Sequence, residues 1–396
     1  MLVLGSLLLA CVAAAGAPGG AQPRGPAGCA EALLEIRQLA SVRDLAGLER
    51  LRAGAGKDPL VEAVLAGEIY WTADVAAAAA DLAAVCRDAR LPPDSAPRGD
   101  ACARLAFAAL ARGGPLRRIA ARGEAHLDLD PSTGLLVAEV SLDGSPPAPF
   151  IVDTGAPTTV VARAHADRVG LSYRPDLAER SRDVGGNPIE LHPGVVHRFR
   201  AGGIEIDDLP VHVQTFPETF RFGGLLSPFD LLRGVAFELD GAGRVLRVGP
   251  DPGAPDWARR VDDPSLFHAS LRWSGGNAFV EASLEGLPRL PFLLDSGGGM
   301  DLVCEEVLRR YGAPAGGRPV AVPSSAGMAP MRGGFQGELG VGAEALQPVS
   351  VATLRCPGAA SLAVQPAGYV GAPWFHRHRA FFPSDRRSMT YAAPPR

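Results

Sequence analysis

The sequence predicts a mainly β chain: two tandem β lobes related by a pseudo-twofold, preceded by a small all-α helical-hairpin domain. Three observations carry this expectation. The 396 residues include 48 Gly and 36 Pro, a share below the roughly 25–30% that marks disorder and well suited to turn-rich strands. The hydrophobic period changes from helical to strand-like near Arg122. The stretch from His126 to Gly170 also recurs, without a gap, 142 residues further on.

A chain of this length divides into two or three domains. The balance of 39 basic against 43 acidic residues, net −4, excludes a nucleic-acid surface and a polybasic membrane binder. Met1–Gly16 is an apolar run too short for the ~20 residues that cross a bilayer. Small residues at Ala13–Ala15, Ala17 and Ala21 suit a signal peptidase, although no Lys or Arg precedes the run. Leu8-Leu9-Ala10-Cys11 resembles a bacterial lipobox, so membrane anchoring through a lipid on Cys11 stands beside cleavage and release. Residues 1–28 are therefore read as leader and linker of an exported chain, periplasmic or in the cell envelope, less readily fully secreted. In an oxidising compartment Cys86–Cys102 and Cys304–Cys356 would pair and Cys29 would be left over; buried free thiols are the alternative.

Residues 29–120 form the helical domain. Asp58-Pro59 is a helix start, with Asp placed to cap and Pro at the first helical position. Thr72–Cys86 is Ala-rich and helix-favouring, and Gly113-Gly114 stops the last helix at Arg112. Beyond it, residues 121–250 and 257–396 form the two lobes. Leu136–Leu142 alternates apolar and polar residues, Asp143-Gly144 turns the chain, and Phe150-Ile151-Val152 is a buried-strand run.

The repeat concentrates chemistry. Laying 126–170 over 268–312 gives 16 identities in 45 positions, including His126/His268, Asp153/Asp295, Gly155/Gly297 and Gly170/Gly312. The register continues through Gly185/Gly327 and Pro188/Pro330. It then resumes, shifted by two, at Gly224/Gly368 and Phe237/Phe381. In both copies an apolar strand ends in Asp-Thr/Ser-Gly: Asp153-Thr154-Gly155 and Asp295-Ser296-Gly297. A carboxylate at the end of a buried strand, followed by a small hydroxyl and a Gly, is an ordinary turn when it occurs once. Duplicated at equivalent positions, it reads as a paired site.

This set resembles the retropepsin-like aspartic proteases. Asp153-Thr154-Gly155-Ala156 matches that family's D-T-G-A in full, and Asp295-Ser296-Gly297-Gly298 matches at three positions, allowing Ser for Thr. The family's hydrophobic-hydrophobic-Gly segment is met by Gly368-Tyr369-Val370-Gly371, and by Gly224-Leu225-Leu226-Ser227 with Ser227 in place of Gly. Val184-Gly185-Gly186-Asn187-Pro188 and Ala326-Gly327-Met328-Ala329-Pro330 stand where flaps belong. The resemblance covers residues 122–396.

It implies two acid-protease lobes in one chain, a monomer in which Asp153 and Asp295 meet and share a proton. It further implies an exported aspartic endopeptidase acting on peptide or protein through an activated water, with no cofactor, no metal and no nucleic acid. Thr154 and Ser296 would brace the two loops, with Gly155, Ala156, Gly297 and Gly298 shaping them. Gly185, Gly186, Gly327 and Met328 would serve the flaps. Pepsin-like relatives carry a hydroxyl after the Gly; Ala156 and Gly298 have none, which implies a dyad that titrates above pepsin's. The alternative is a catalytically inactive retropepsin fold that binds peptide or a partner. A serine hydrolase is disfavoured because Leu294-Asp295-Ser296-Gly297-Gly298 is not a G-x-S-x-G elbow. His376 and His378 read as a solvated basic edge, and His126 and His268 as packing or hydrogen-bonding residues.

Overall fold

A computed structural model describes residues 26–54, 58–92, 95–112, 115–249, 254–260, 263, 265–313, 317–356 and 364–392. Cys11, the rest of the leader, and Gly113-Gly114 lie outside these residues.

Five helices come first: α1 (Pro26–Ser41), α2 (Leu45–Gly54), α3 (Pro59–Thr72), α4 (Val75–Arg87) and α5 (Ala96–Leu110). Helix α1 thus starts inside the stretch assigned to the linker. Asp58 caps α3 by accepting from the Leu60 and Val61 amides at 3.0 and 3.2 Å. The Ala-rich run is not one helix from Thr72, because α3 ends there and Asp74 caps a new one at the Ala77 amide, 2.9 Å away. The last helix closes at Leu110 rather than Arg112. Ile36, Leu48, Leu65, Ile69, Leu82 and Phe107 fill the helical core, and the Cys86–Cys102 disulfide joins α4 to α5.

From Arg118 the chain is β; Arg118–Ala121 already pairs with Ile204–Gln214, so the first lobe begins slightly before residue 121. The two lobes repeat in their main elements. Strand Ala148–Val152 answers to Leu290–Leu294, helix Arg163–Val169 to Glu305–Arg310, and helix Pro228–Leu231 to Ala372–Phe375. In each lobe the Asp-bearing strand lies between an antiparallel neighbour and a short parallel one, Gly224–Leu226 or Gly368–Val370. Covered on both faces, these central strands are continuously apolar, as Phe150-Ile151-Val152 shows.

The lobes are joined by one antiparallel six-stranded sheet. Its order is Glu124–Leu129, Val245–Val248, Phe237–Asp240, Arg379–Phe382, Ser388–Ala392 and Leu266–Ser274. The pseudo-twofold runs between the third and fourth strands, where Phe237 pairs with Phe382 and Asp240 with Arg379. Above that seam Phe229, Phe237, Trp273 and Phe382 pack edge to face and tilted, with centroids 4.8–5.6 Å apart.

Cys304 and Cys356 form the second disulfide. Cys29 is not left over: it is disulfide-bonded, and no described cysteine is free. His378 is not on a solvated edge either. It is buried, with Nδ1 against the Trp374 carbonyl at 2.7 Å and Nε2 against Glu344 at 2.9 Å. The burial follows from the turn after helix Ala372–Phe375, which points the ring inward before the strand begins. His268 bonds Thr390 at 3.0 Å, while His126 is exposed beside Asp128.

Candidate active site

Asp153 and Asp295 leave the ends of their strands and meet across the pseudo-twofold. Their carboxyl groups are half-buried and in hydrogen-bonding contact. Beneath them the hydroxyl residues brace the two loops reciprocally. Thr154 N–H donates to Ser296 Oγ at 3.0 Å, and Ser296 N–H donates to Thr154 Oγ1 at 2.9 Å. Each hydroxyl then donates to the opposite strand: Thr154 to the Leu294 carbonyl at 3.0 Å and Ser296 to Val152 at 2.7 Å. Both side chains are fully buried, so their hydrogen-bonding needs are met only by the other lobe.

The glycines are dictated by this proximity. A Cβ on Gly155 would fall 2.5 Å from Asp295 Oδ1, and one on Gly297 would collide with the Asp153 carboxylate. Gly298 is constrained by its own loop, since a Cβ there would lie 2.8 Å from Asp295 Oδ2. Ala156, without a hydroxyl, supplies its backbone instead: the Gly155 and Ala156 amides donate to Asp153 Oδ1 at 2.8 and 3.0 Å.

Burial pushes both carboxyls upward. For Asp153, the amides of Gly155 and Ala156 oppose that rise. Asp295 goes well above the ordinary aspartate range, because burial is reinforced by the facing Asp153 charge. The Tyr369 phenol, in the short strand paired with that of Asp295, is raised by burial and by the negative charge of Asp295.

Ser227, where the family pattern has Gly, has a structural task. Its Oγ donates to the Ala156 carbonyl at 2.7 Å, holding the Asp153 loop from behind. The lobes differ again one layer out. Thr159 Oγ1 accepts from the Ser227 amide at 3.3 Å, whereas the equivalent Asp301 accepts from the Gly371 amide at 2.8 Å. Asp301 is buried, its Oδ2 has no partner, and burial lifts its pKa to about 6.

Each lobe also carries a hairpin, and the two meet. The first pairs Glu179–Arg182 with Pro188–Leu191 and places Gly185 and Gly186 in its tip, Gly186 with φ 82°. The second pairs Pro319–Ser324 with Gly327–Arg332, and Met328 projects from it, about half exposed. The tips touch. Ser324 Oγ donates to Asp183 Oδ2 at 2.5 Å, Gln214 Nε2 donates to the Ser325 carbonyl at 2.9 Å, and Val184 packs against the apolar cluster that holds Ala329 and Met331. A Cβ on Gly185 would lie 2.7 Å from that of Ala329.

The structure therefore gathers all twelve sequence-predicted residues into the dyad, its loops and the two hairpins. Sequence reasoning missed the residues that support them: Ser227 as a brace, Asp301, Asp183 and Ser324 between the tips, and Gln214. Asp301 had a visible signal, as the repeat sets it opposite Thr159; the others had none.

Residues 138–229 match the family described as Aspartyl protease, a span holding the first dyad loop, the first hairpin and Ser227. No curated protein sequence matches the chain. Among solved structures, the aspartic proteinase from Irpex lacteus is similar with a TM-score of 0.42 and 10% identity, over 69% of this chain and 98% of that one. Conglutin gamma, a basic 7S globulin from lupine seeds, gives 0.42 and 10%, over 70% and 95%. The basic 7S globulin from soybean gives 0.41 and 12%, over 70% and 95%.

Proposed function

We propose that this chain, a two-lobed β protein of the retropepsin-like aspartic protease family, is an aspartic endopeptidase that hydrolyses peptide bonds between Asp153 and Asp295. The observation that carries the reading is the contact of two half-buried carboxyls whose loops are cross-braced by Thr154 and Ser296. A purely structural role would not call for two buried acids face to face, because only one of them ionises readily.

Of the facing pair, Asp153, raised less than Asp295, serves as general base on a water between them. Asp295 keeps the shared proton and donates it to the substrate carbonyl oxygen. Attack of that water forms a C–O bond and gives a neutral gem-diol, the water's proton passing to Asp153. Collapse re-forms a C=O bond as the C–N bond breaks: Asp153 gives its proton to the leaving nitrogen and Asp295 takes back a hydroxyl proton, restoring the singly protonated pair. The hairpins would lie along an extended peptide and exclude bulk water. The two intradomain disulfides support export to an oxidising compartment, and the shared sheet supports a monomer.

The test is turnover of a peptide library by wild type, Asp153→Asn and Asp295→Asn at pH 3–8. Cleavage by wild type alone is expected. Equal cleavage by all three, or none by any, sinks the proposal; binding of peptide without turnover would favour an inactive, peptide-binding member of the fold.

A further inference from the structure

The helical domain reaches the first hairpin through one buried polar chain. Arg104 on α5 donates to Glu179 Oε2 from Nε at 3.1 Å and from Nη2 at 2.8 Å. Glu179 is the first rung of the hairpin, opposite Leu191. Its other oxygen meets His212 Nε2 at 3.0 Å, and His212 Nδ1 faces the Thr158 hydroxyl at 3.0 Å. Thr158 belongs to the loop that begins at Asp153. Arg104, Glu179, His212 and Thr158 are all buried. Since a carboxylate only accepts, Nε2 of His212 carries a proton. Arg104 also lies over the rings of Tyr70 and Trp71, at 4.9 and 5.1 Å, and Phe107 meets the His212 ring edge to face.

At the equivalent positions the second lobe is apolar. Val160 pairs with His212, and its counterpart Leu302 pairs with Ala352; the repeat sets Met300 opposite Thr158. Both belong to an apolar cluster under the second hairpin. Among the described residues, this Arg–Glu–His chain lies in the lobe whose hairpin base the helical domain covers. A buried ion pair is poor evidence for stability, since apolar residues of similar volume often serve as well or better. Its geometry, by contrast, fixes one arrangement of three segments.

We infer that Arg104 is a positioning residue: through Glu179, His212 and Thr158 the helical domain sets the base of the first hairpin and the loop of Asp153, and is an integral part of the site rather than a removable appendage. The inference rests on the protease reading only for its kinetic consequence. Arg104 touches neither substrate nor dyad.

The experiment compares the full-length wild type with R104Q, R104K and R43Q. Arg43 ties the same domain to the other lobe, donating to the Thr72 carbonyl at 2.6 Å and lying over Trp273. Hydrogen exchange is read at residues 179–191 and 154–159, with 319–332 as the internal reference. R104Q is expected to speed exchange at the first two segments at least tenfold, R104K by less, and R43Q by under twofold. Where the wild type cleaves peptide, R104Q should lower kcat/KM about tenfold without moving the midpoints of the pH profile. Equal exchange in R104Q and R43Q, or an equal response at 319–332, overturns the inference. Should R104Q not fold, R104K against R43Q decides on the same criterion. Absence of cleavage by wild type would end the protease reading and leave the exchange result to stand by itself.

Discussion

Ser324 donates to the carboxylate of Asp183 across the pseudo-twofold, 2.5 Å from one hairpin tip to the other. The same Asp183 carboxylate accepts from the backbone and side-chain amides of Asn187 at 2.8 and 3.0 Å. One residue therefore shapes its own turn and fastens the turn facing it. If the proposed peptide substrate enters between the tips, this contact must part. A hydrogen bond to a charged group contributes about 1.5–3 kcal/mol, enough to make opening a slow step. Ser324→Ala is expected to raise the association rate of a fluorescent peptide about tenfold in stopped-flow mixing, with little change in melting temperature. An unchanged or slower rate would show that the tips do not limit entry.

The dyad links activity to stability with opposite signs. Both carboxyls are raised, Asp295 more than Asp153, so above the ordinary aspartate pKa of about 3.9 the folded state binds more protons than the unfolded. Stability falls as pH climbs from there through the raised range. Asp295→Asn removes the ionisation that is penalised. It should lower kcat by about a thousandfold or more yet increase Tm at pH 7, by about 2–4 °C for each kcal/mol. Differential scanning calorimetry at pH 4 and 7 checks this, because the gain should vanish at the lower pH.

Loss of the shared proton also sets the alkaline limb of activity. With no hydroxyl on residue 156 or 298 to stabilise the charged form, and with burial lifting both acids, kcat/KM should peak at mildly acidic to neutral pH. A profile peaking below about pH 3, in the range of pepsin's dyad, would contradict the assignment of these causes.

Gly298→Ala tests how tightly the second loop is drawn around its acid. The added methyl would lie 2.8 Å from Asp295 Oδ2, so carboxylate or loop must shift by several tenths of an ångström. Misplacement on that scale costs catalysis more than folding. A tenfold or greater loss in kcat is expected with Tm held within about 3 °C, measured on the same peptide. Full activity would mean that the loop relaxes freely.

Asp301 offers a prediction about stability alone. Its pKa of about 6 lies above the unfolded value, so its folded form is favoured at acid pH and loses about 2 kcal/mol of stability between pH 4 and 7. Asp301→Thr copies the Thr159 arrangement of the other lobe, where a hydroxyl accepts from the Ser227 amide. Denaturant titration should show the variant more stable than wild type at pH 7 and no more stable at pH 4. Destabilisation at both values would show that the carboxylate has a partner at Oδ2 in solution.

The sequence made the dyad legible for a physical reason. Two copies of one strand-loop unit must present the same atoms across a twofold, so Asp153/Asp295, Thr154/Ser296 and Gly155/Gly297 had to recur in register. Hairpin positions followed from the same register. What stayed hidden was everything that exists in one lobe only. Arg104 and Glu179 are 75 residues apart and His212 a further 33, with no motif to tie them. Ser227 looked like a lapse from pattern until its bond to Ala156 appeared. His378 looked solvated because its neighbours Arg377 and Arg379 are charged, and only the turn after Phe375 buries it.

The strand pairing of Phe237–Asp240 with Arg379–Phe382 has a further consequence, for how the site behaves on dilution. When two identical subunits must associate to bring their acids together, the active fraction falls with protein concentration. Here the partner half is tethered, and its effective concentration is fixed by the chain. Specific activity should stay constant to arbitrarily low enzyme concentration. The two halves are also free to drift apart in sequence, because a change in one is no longer imposed on the other.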